Sequence, residues 1–263
     1  MRAAETSLIF VSILEARTLR PIPSPLNDDA NMTLFHVSPD CLDLGLRAGA
    51  ILFRNVQTGD APNGLVEIMR LRIRGILDAY PSPAAMRATP EIKAFQRILR
   101  DVGVNPSKHS PSVQRLHQFV LKRGGLPQIN ALVDAYNLVS LESRCSMGAH
   151  DLDQITAPVS LRLLRGDESF IPLGQVKAEA VRPGEFGYVD AANRLMCRLD
   201  LMQAEFSKVT PATRNVLMIV EATAAHKPEL ARQAMANVMT LAKEFCHAES
   251  EVLHWPFTDP DGS

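Results

Sequence analysis

The sequence has no cysteine pair at metal-site spacing, no overall basic excess and none of the common catalytic signatures, and each absence removes a class of protein. Its four cysteines, Cys41, Cys145, Cys197 and Cys246, stand far apart with no histidine at ligand spacing. That pattern argues against zinc and against a disulfide framework. Scattered thiols are expected as small buried side chains in a reducing cytoplasm. A net charge of -1 gives no whole-molecule attraction for a polyanion, so any such grip must be local. GxSxG, a P-loop, HExxH and a glycine-rich GxGxxG are all missing, and no metal or organic cofactor is expected. The apolar run from Ser7 to Leu14 is too short to span a bilayer and no small-residue cleavage site follows it. Neither a membrane segment nor a signal peptide is expected.

What is present is a chain of 263 residues, 46% apolar, which is enough for a proper core. The proline and polar stretch PIPSPLNDDAN at 21–31 reads as a linker, which makes residues 1–31 an extension, 32–250 a single domain and 251–263 a tail. Apolar residues at three- and four-residue spacing predict a helix over Val66 to Leu77. Thr89-Pro90 and Ser110-Pro111 are start signals for two more, the second stopped by Gly124 and Gly125. A fourth helix is predicted from Asn130 to about Leu141, and a last one opens at Pro228. Between them lie predicted strands at Val159 to Leu164, Phe170 to Leu173, Phe186 to Val189, Leu195 to Leu199 and Val216 to Val220, with a hairpin turn at Asp190 to Asn193. Helices, then strands, then one helix imply an α+β domain with a mixed or antiparallel β-sheet covered by helices.

Charge is concentrated in one region. Val66 to Arg123 carries eleven basic and four acidic residues, a local +7. Arg70, Arg74, Lys93, Arg97, Arg100, Lys108, Arg115 and Lys122 are candidates to grip a phosphate backbone, although solvated helices are often basic for solubility alone. His109, His117 and His150 are candidate general bases, against the commoner role of a hydrogen-bonded structural histidine.

Three segments are unusual in composition: LRDVGVNPSKHSPSVQRL from Leu99, GGLPQINALVDAYNLVSLESRCSMGAHDLDQI from Gly124 and QAEFSKVTPATRNVLMIVEA from Gln203. Together they resemble the B3/B4 editing domain of the bacterial phenylalanyl-tRNA synthetase β subunit, and more closely its freestanding relatives, over roughly residues 60–225. The most specific part is the Asn-x-x-Val-Asp-x-x-Asn core at Asn130, Val133, Asp134 and Asn137. The chain is much shorter than a β subunit, so a freestanding domain is expected.

The resemblance implies a B3/B4-like domain over 32–250 that holds the 3′ end of a mischarged tRNA and hydrolyses its aminoacyl ester. It implies tRNA as the partner, with no DNA and no membrane, in a monomer or small homo-oligomer. Asn137 falls on the asparagine that lines the editing pocket, and Tyr136 stands where the synthetase has threonine. The synthetase's motif histidine aligns with Gly148, with His150 in the neighbouring aromatic position, and its tyrosine-reading glutamate aligns with Lys208. Tyr136, Asn137 and His150 are therefore the expected catalytic groups, and Gly148, Gln203, Glu205 and Lys208 the expected substrate contacts. Some freestanding relatives act on canavanyl-tRNA(Arg), whose side chain would want a carboxylate; Glu185, Asp190, Asp200 and Glu205 are the candidates. The rival readings are a non-catalytic tRNA-binding module or synthetase accessory protein, and a tyrosyl-tRNA(Phe) deacylase.

Overall fold

The computed structural model describes residues 34–257; the expected extension at 1–31 and the last residues of the expected tail lie outside the described residues. In chain order the first half contains β1 (Phe35–Val37), α1 (Pro39–Asp43), β2 (Leu46–Arg54), α2 (Asn63–Ala79), α3 (Pro83–Arg87), α4 (Pro90–Asp101), α5 (Ser112–Arg123) and α6 (Ala131–Ser143). The second contains β3 (Ser146–Asp151), β4 (Val159–Leu163), β5 (Phe186–Val189), β6 (Leu195–Arg198), β7 (Met202–Gln203), β8 (Val216–Thr223), α7 (Pro228–Cys246) and β9 (Glu249–His254). The α+β expectation holds, with two sheets in place of one. The first is mixed, in the order β1-β4-β5-β6-β7 with β1 parallel to β4; the second is antiparallel, in the order β3-β8-β2-β9.

Strand β8 explains the layering. All eight of its residues are buried, and alternate side chains serve different cores. Leu217 and Ile219 face the first sheet, where they join Leu161, Phe186, Tyr188 and Met196. Val216, Met218, Val220 and Ala222 face the helices, where they join Met69 and Ile73 of α2, Leu132 and Leu138 of α6, and Met235 and Val238 of α7. Glu221 shares the register of Leu217 and Ile219, so the one carboxylate in this apolar strand faces the first sheet.

Helix starts follow local chemistry, with one shift that matters. The Ser38 and Ser82 hydroxyls cap α1 and α3, accepting from Cys41 N and Ala85 N. Thr89 holds the cap position of α4, but its hydroxyl turns back to donate to Met86 O at 2.9 Å. At α5 the cap position belongs to Pro111, one residue later than the Ser110-Pro111 signal suggested. Ser112 thus becomes the first helical residue, with its hydroxyl free for another partner. Gly124 ends α5 in the left-handed conformation, φ 76°.

The structure differs from the sequence reading in three further places. Strands β1 and β2, with the short α1 between them, precede the first long helix α2, so the described residues do not open on the helical run that was expected. Phe170 to Leu173 forms only single bridges, Ser169 to Arg194 and Pro172 to Ala204; Pro172 lacks the amide a ladder needs, and Phe170 fills a small core with Val181 and Leu195. Residues 249–254, within and beside the expected tail, form β9, paired antiparallel with β2. Its exposed Glu249, Ser250 and Glu251 form the polar first half of an edge strand.

Candidate functional site

Helix α6 owes its start to the motif that stood out in the sequence. Asn130 caps it, its Oδ1 accepting from Val133 N at 2.9 Å, and the Asp134 carboxylate reaches back to Ile129 N at 2.9 Å. Three of the four motif residues therefore fix where the helix begins and how it is rotated. The fourth, Asn137, sits half-buried beside Tyr136 and has no hydrogen-bond partner among the described residues.

Gly148, His150 and Gln203 converge where the free edges of the two sheets meet, while Tyr136 lies on α6 packed against the helix-side core. His150 is buried on β3, with Nδ1 2.9 Å from Ser207 Oγ and 3.5 Å from Gln203 Nε2. Gln203 donates to Ala149 O at 2.9 Å and pairs in register with Cys197. The Tyr136 phenol is pushed up by burial, with the charges of Asp134 and Cys197 adding to the effect, which brings the α6 flank into the same neighbourhood. Gly148 leaves space: a methyl group there would have His150 Nε2 at 3.9 Å as its nearest neighbour. Burial lowers His150 to about 4, so at neutral pH it is an uncharged imidazole with Nε2 turned toward that space.

Beside this space lies a carboxylate cluster that sequence reading only partly found. Asp200 Oδ2 accepts from Ser112 Oγ at 2.9 Å and Oδ1 from Ser146 Oγ at 2.5 Å, while the two hydroxyls lie 2.5 Å apart. Three contacts close a ring among three groups, yet two hydroxyls supply two protons. A full set of hydrogen bonds needs the third proton on Asp200. Burial, opposed by Ser146, Ser112 and the charge of Arg115, raises Asp200 to about 7. Asp200 and Leu199 both have left-handed backbones, φ 57° and 58°, in the tight turn closed by Leu201 N to Arg198 O at 2.9 Å. Two non-glycine residues in that conformation are strained, and the strain holds the carboxylate in place.

Glu221 stands opposite Ser146 across the β3–β8 ladder and is 1% exposed. The Tyr188 hydroxyl donates to its Oε2, and Oε1 has no partner. Burial and then the charge of Asp200 push Glu221 well above the usual carboxylate range.

The remaining candidate acids are neutralised. Glu185 pairs with Arg198 at 2.5 Å, Asp190 with Arg194 at 2.6 Å, and Glu205 with Lys208. Glu205 also accepts from Gly174 N at 2.8 Å, and its bond to Lys208 pulls its carboxyl below the usual range. Glu205 and Lys208 line a surface depression of about 340 Å³ with Asp151 and Asp153, separate from Gln203 and His150 and linked to them through Ser207. A larger depression, about 380 Å³, lies at the opposite end of β8, lined by Gly45, Lys93, Arg97 and Thr223.

The eight basic candidates are all exposed, but they are spread over α2, α4, α5 and the loop between the last two. Arg70 pairs with Glu67 at 2.7 Å, and Arg97 with Asp101 at 3.6 Å. Arg115 alone of the eight touches the segment carrying Asp200, donating to Leu201 O at 3.0 Å. His117 is buried, its Nε2 2.8 Å from Tyr80 O, which fits a structural role; His109 is exposed. Ser112, Ser146, Tyr188, Ser207 and Glu221 were missed. Only Glu221 carried a signal, as a lone acid in an otherwise apolar buried run.

Comparison with known proteins places these elements. The family model described as B3/4 domain matches residues 94–247, from within α4 through α7. The phenylalanine–tRNA ligase β subunit of Haemophilus ducreyi is 28% identical over 201 residues, covering 64% of this chain and 24% of that protein. The corresponding subunit of Chromobacterium violaceum is 32% identical over 116 residues, covering 44% of this chain and 14% of that protein. The chain thus spans about a quarter or less of the curated relatives it matches. Among solved structures, an N-terminal fragment of the phenylalanyl-tRNA synthetase β-subunit from Pyrococcus horikoshii matches with a TM-score of 0.46 and 13% identity, over 87% of this chain and 53% of that one.

Proposed function

The chain belongs to the B3/4 domain family, and from that premise we propose that it is a cytoplasmic aminoacyl-tRNA deacylase that edits mischarged tRNA in trans. The observation that carries this reading is the space over Gly148, edged by His150 Nε2 with Gln203 against the same imidazole. An aminoacyl ester is already activated, so it needs a held water, donors for the developing oxyanion and little else. Water attacks the ester carbonyl, the bond to the ribose oxygen breaks, and the water's proton passes to that oxygen as free amino acid and tRNA separate. Neutral His150 accepts a hydrogen bond from the water, while the Tyr136 hydroxyl and the unpaired Asn137 amide orient the carbonyl.

The substrate we assign is canavanyl-tRNA(Arg). Of the four acids considered for its cationic side chain, Asp200 alone is held by hydroxyls in place of an ion-pair partner. Tyrosine fits less well, because Lys208, at the position of the tyrosine-reading glutamate, is occupied by Glu205. Exposed Lys93, Arg100 and Arg115 are the basic groups best placed to hold the tRNA backbone near α4 and α5.

The test is single-turnover release of amino acid from canavanyl-tRNA(Arg) and tyrosyl-tRNA(Phe), each beside its correctly charged counterpart. Selective release from canavanyl-tRNA(Arg) is expected. Binding without release anywhere in the panel would replace the deacylase with a tRNA-binding module.

A further inference from the structure

We propose that Glu221, positioned by Tyr188, is the specificity-determining carboxylate of this pocket, and that its free Oε1 takes the cationic end of the esterified amino acid's side chain. The inference deepens the deacylase reading and rests on it.

Glu221 is almost wholly buried, and its unpartnered Oε1 is an anomaly on its own terms. A buried carboxylate oxygen without a donor carries a desolvation penalty of about 1–3 kcal/mol, and folded chains seldom leave one so. The fold does not treat Glu221 as an accident, because the Tyr188 hydroxyl fixes Oε2 and leaves Oε1 directed elsewhere. No cation pairs with it among the described residues. Arg115 lies beyond Asp200, engaged with Leu201 O. The groups around Glu221 are Asp200, the thiols of Cys197 and Cys41, and the Tyr188 phenol, so its surroundings lack a positive charge that a ligand would supply.

Register connects this oxygen to the ester end of the pocket. Ser146, Gly148 and His150 alternate along one face of β3, and Glu221 stands opposite Ser146 on that face. From Gly148 to Ser146 is roughly 7 Å at about 3.4 Å per residue. That span is comparable with an extended guanidino side chain. An ester held beside His150, with its side chain passing over Gly148, therefore directs its far end to Glu221 and Asp200. A guanidinium offers several donors in one plane, enough for Oε1 of Glu221 and for Asp200, and its positive charge favours release of the protons that burial holds on both acids to solvent. The serine ring around Asp200 then keeps two hydroxyl donors for its two oxygens, the full set that two protons allow.

Three proteins decide the matter: the unsubstituted chain, Glu221→Gln and Tyr188→Phe. Each is assayed for hydrolysis of one tRNA charged with arginine's oxyguanidino analogue or with citrulline, a neutral counterpart, and for equilibrium binding of free argininamide. The unsubstituted protein is expected to prefer the cationic ester by at least tenfold. Glu221→Gln, nearly isosteric and relieved of a buried acid, should fold, lose that preference and lose argininamide binding. Tyr188→Phe should raise KM for the cationic ester with kcat largely kept, the mark of a positioning residue. A Glu221→Gln protein that keeps the preference overturns the proposal, as does an unsubstituted protein that cleaves both esters equally; both leave the deacylase standing. An unsubstituted protein that binds argininamide through Glu221 yet hydrolyses neither ester supports the pocket and sinks the deacylase.

Discussion

Ser146 Oγ lies 2.5 Å from Asp200 Oδ1, tying the free edge strand of one sheet to the strained turn after β6 in the other. Asp200 holds its proton to about pH 7 in the folded chain and to about 3.8 without that environment. Between those values the folded state binds the extra proton, so this group makes stability fall as pH rises from about 4 to 7. Asp200→Asn removes that slope. Its melting temperature, measured against the parent protein, should gain ground across this window, reaching about 1–3 kcal/mol in relative stability. Hydrolysis of a cationic ester by the parent protein should rise through about pH 7 as the carboxylate forms.

His150 works in the opposite direction. Burial lowers it to about 4 from 6.5, so over this interval the unfolded chain binds more protons and stability rises with pH. His150→Gln should flatten that rise, losing ground to the parent above pH 6.5 and regaining it near pH 4. Thermal melts of both variants across pH 4–8 would show two slopes of opposite sign; slopes of the same sign would refute one of the assignments.

Two asparagines of one motif should separate cleanly. Asn130→Ala loses the α6 cap and about 1 kcal/mol of stability, visible as a lower denaturation midpoint. Asn137→Ala removes an amide with no hydrogen-bond partner among the described residues, so stability should stay within about 0.5 kcal/mol. Its single-turnover rate should drop about 100-fold if the amide orients the ester. A fully active Asn137→Ala protein would remove Asn137 from the chemistry.

Two glycines give a similar contrast. At Gly148 an added methyl group meets nothing closer than 3.9 Å, so Gly148→Ala should melt like the parent while slowing hydrolysis about tenfold by filling the space. At Gly187 the same methyl group would lie 2.6 Å from Leu195 Cδ1 and 2.8 Å from the Cys197 carbonyl oxygen. Gly187→Ala should cost about 1–3 kcal/mol, readable in the denaturation midpoint.

Replacing Lys93 and Arg100 together by glutamate should weaken tRNA binding and lower the slope of log affinity against log salt by about 1.5 to 2. A filter-binding titration at several salt concentrations checks this. An unchanged slope would move the tRNA path away from α4.

The five helices of twelve residues or more were legible because their apolar spacing and start signals are local, whereas α1 and α3, five residues each, carry too short a pattern to read. The last helix, opened by Pro228, and the hairpin at Asp190 to Asn193 needed nothing beyond neighbours in sequence. Strand β9 was not legible, since ESEVLH has one buried-facing half and relies on β2, nearly 200 positions away, for its partner. The site divides the same way. Tyr136, Gly148, His150 and Gln203 were named from the family resemblance, and the fold brings the last three together. The Ser112–Ser146–Asp200 ring was invisible because its members come from a helix start, an edge strand and a hairpin turn. Glu205 and Lys208 were named as substrate contacts from the resemblance; in the fold they pair with each other and line a separate depression.

The turn at Leu199 and Asp200 also matters for redesign. Its carboxylate sits on a short hairpin tip, whereas His150 sits on β3 and Tyr136 and Asn137 on α6, so this acid and those three groups lie on different backbone segments. Replacing residues of this turn, between Arg198 and Met202, without changing its length would alter one of the two acids at the far end of the pocket and leave Glu221 and the groups assigned to bond cleavage in place. Selectivity could then be bred apart from turnover, with libraries drawn from the three loop positions and Glu221.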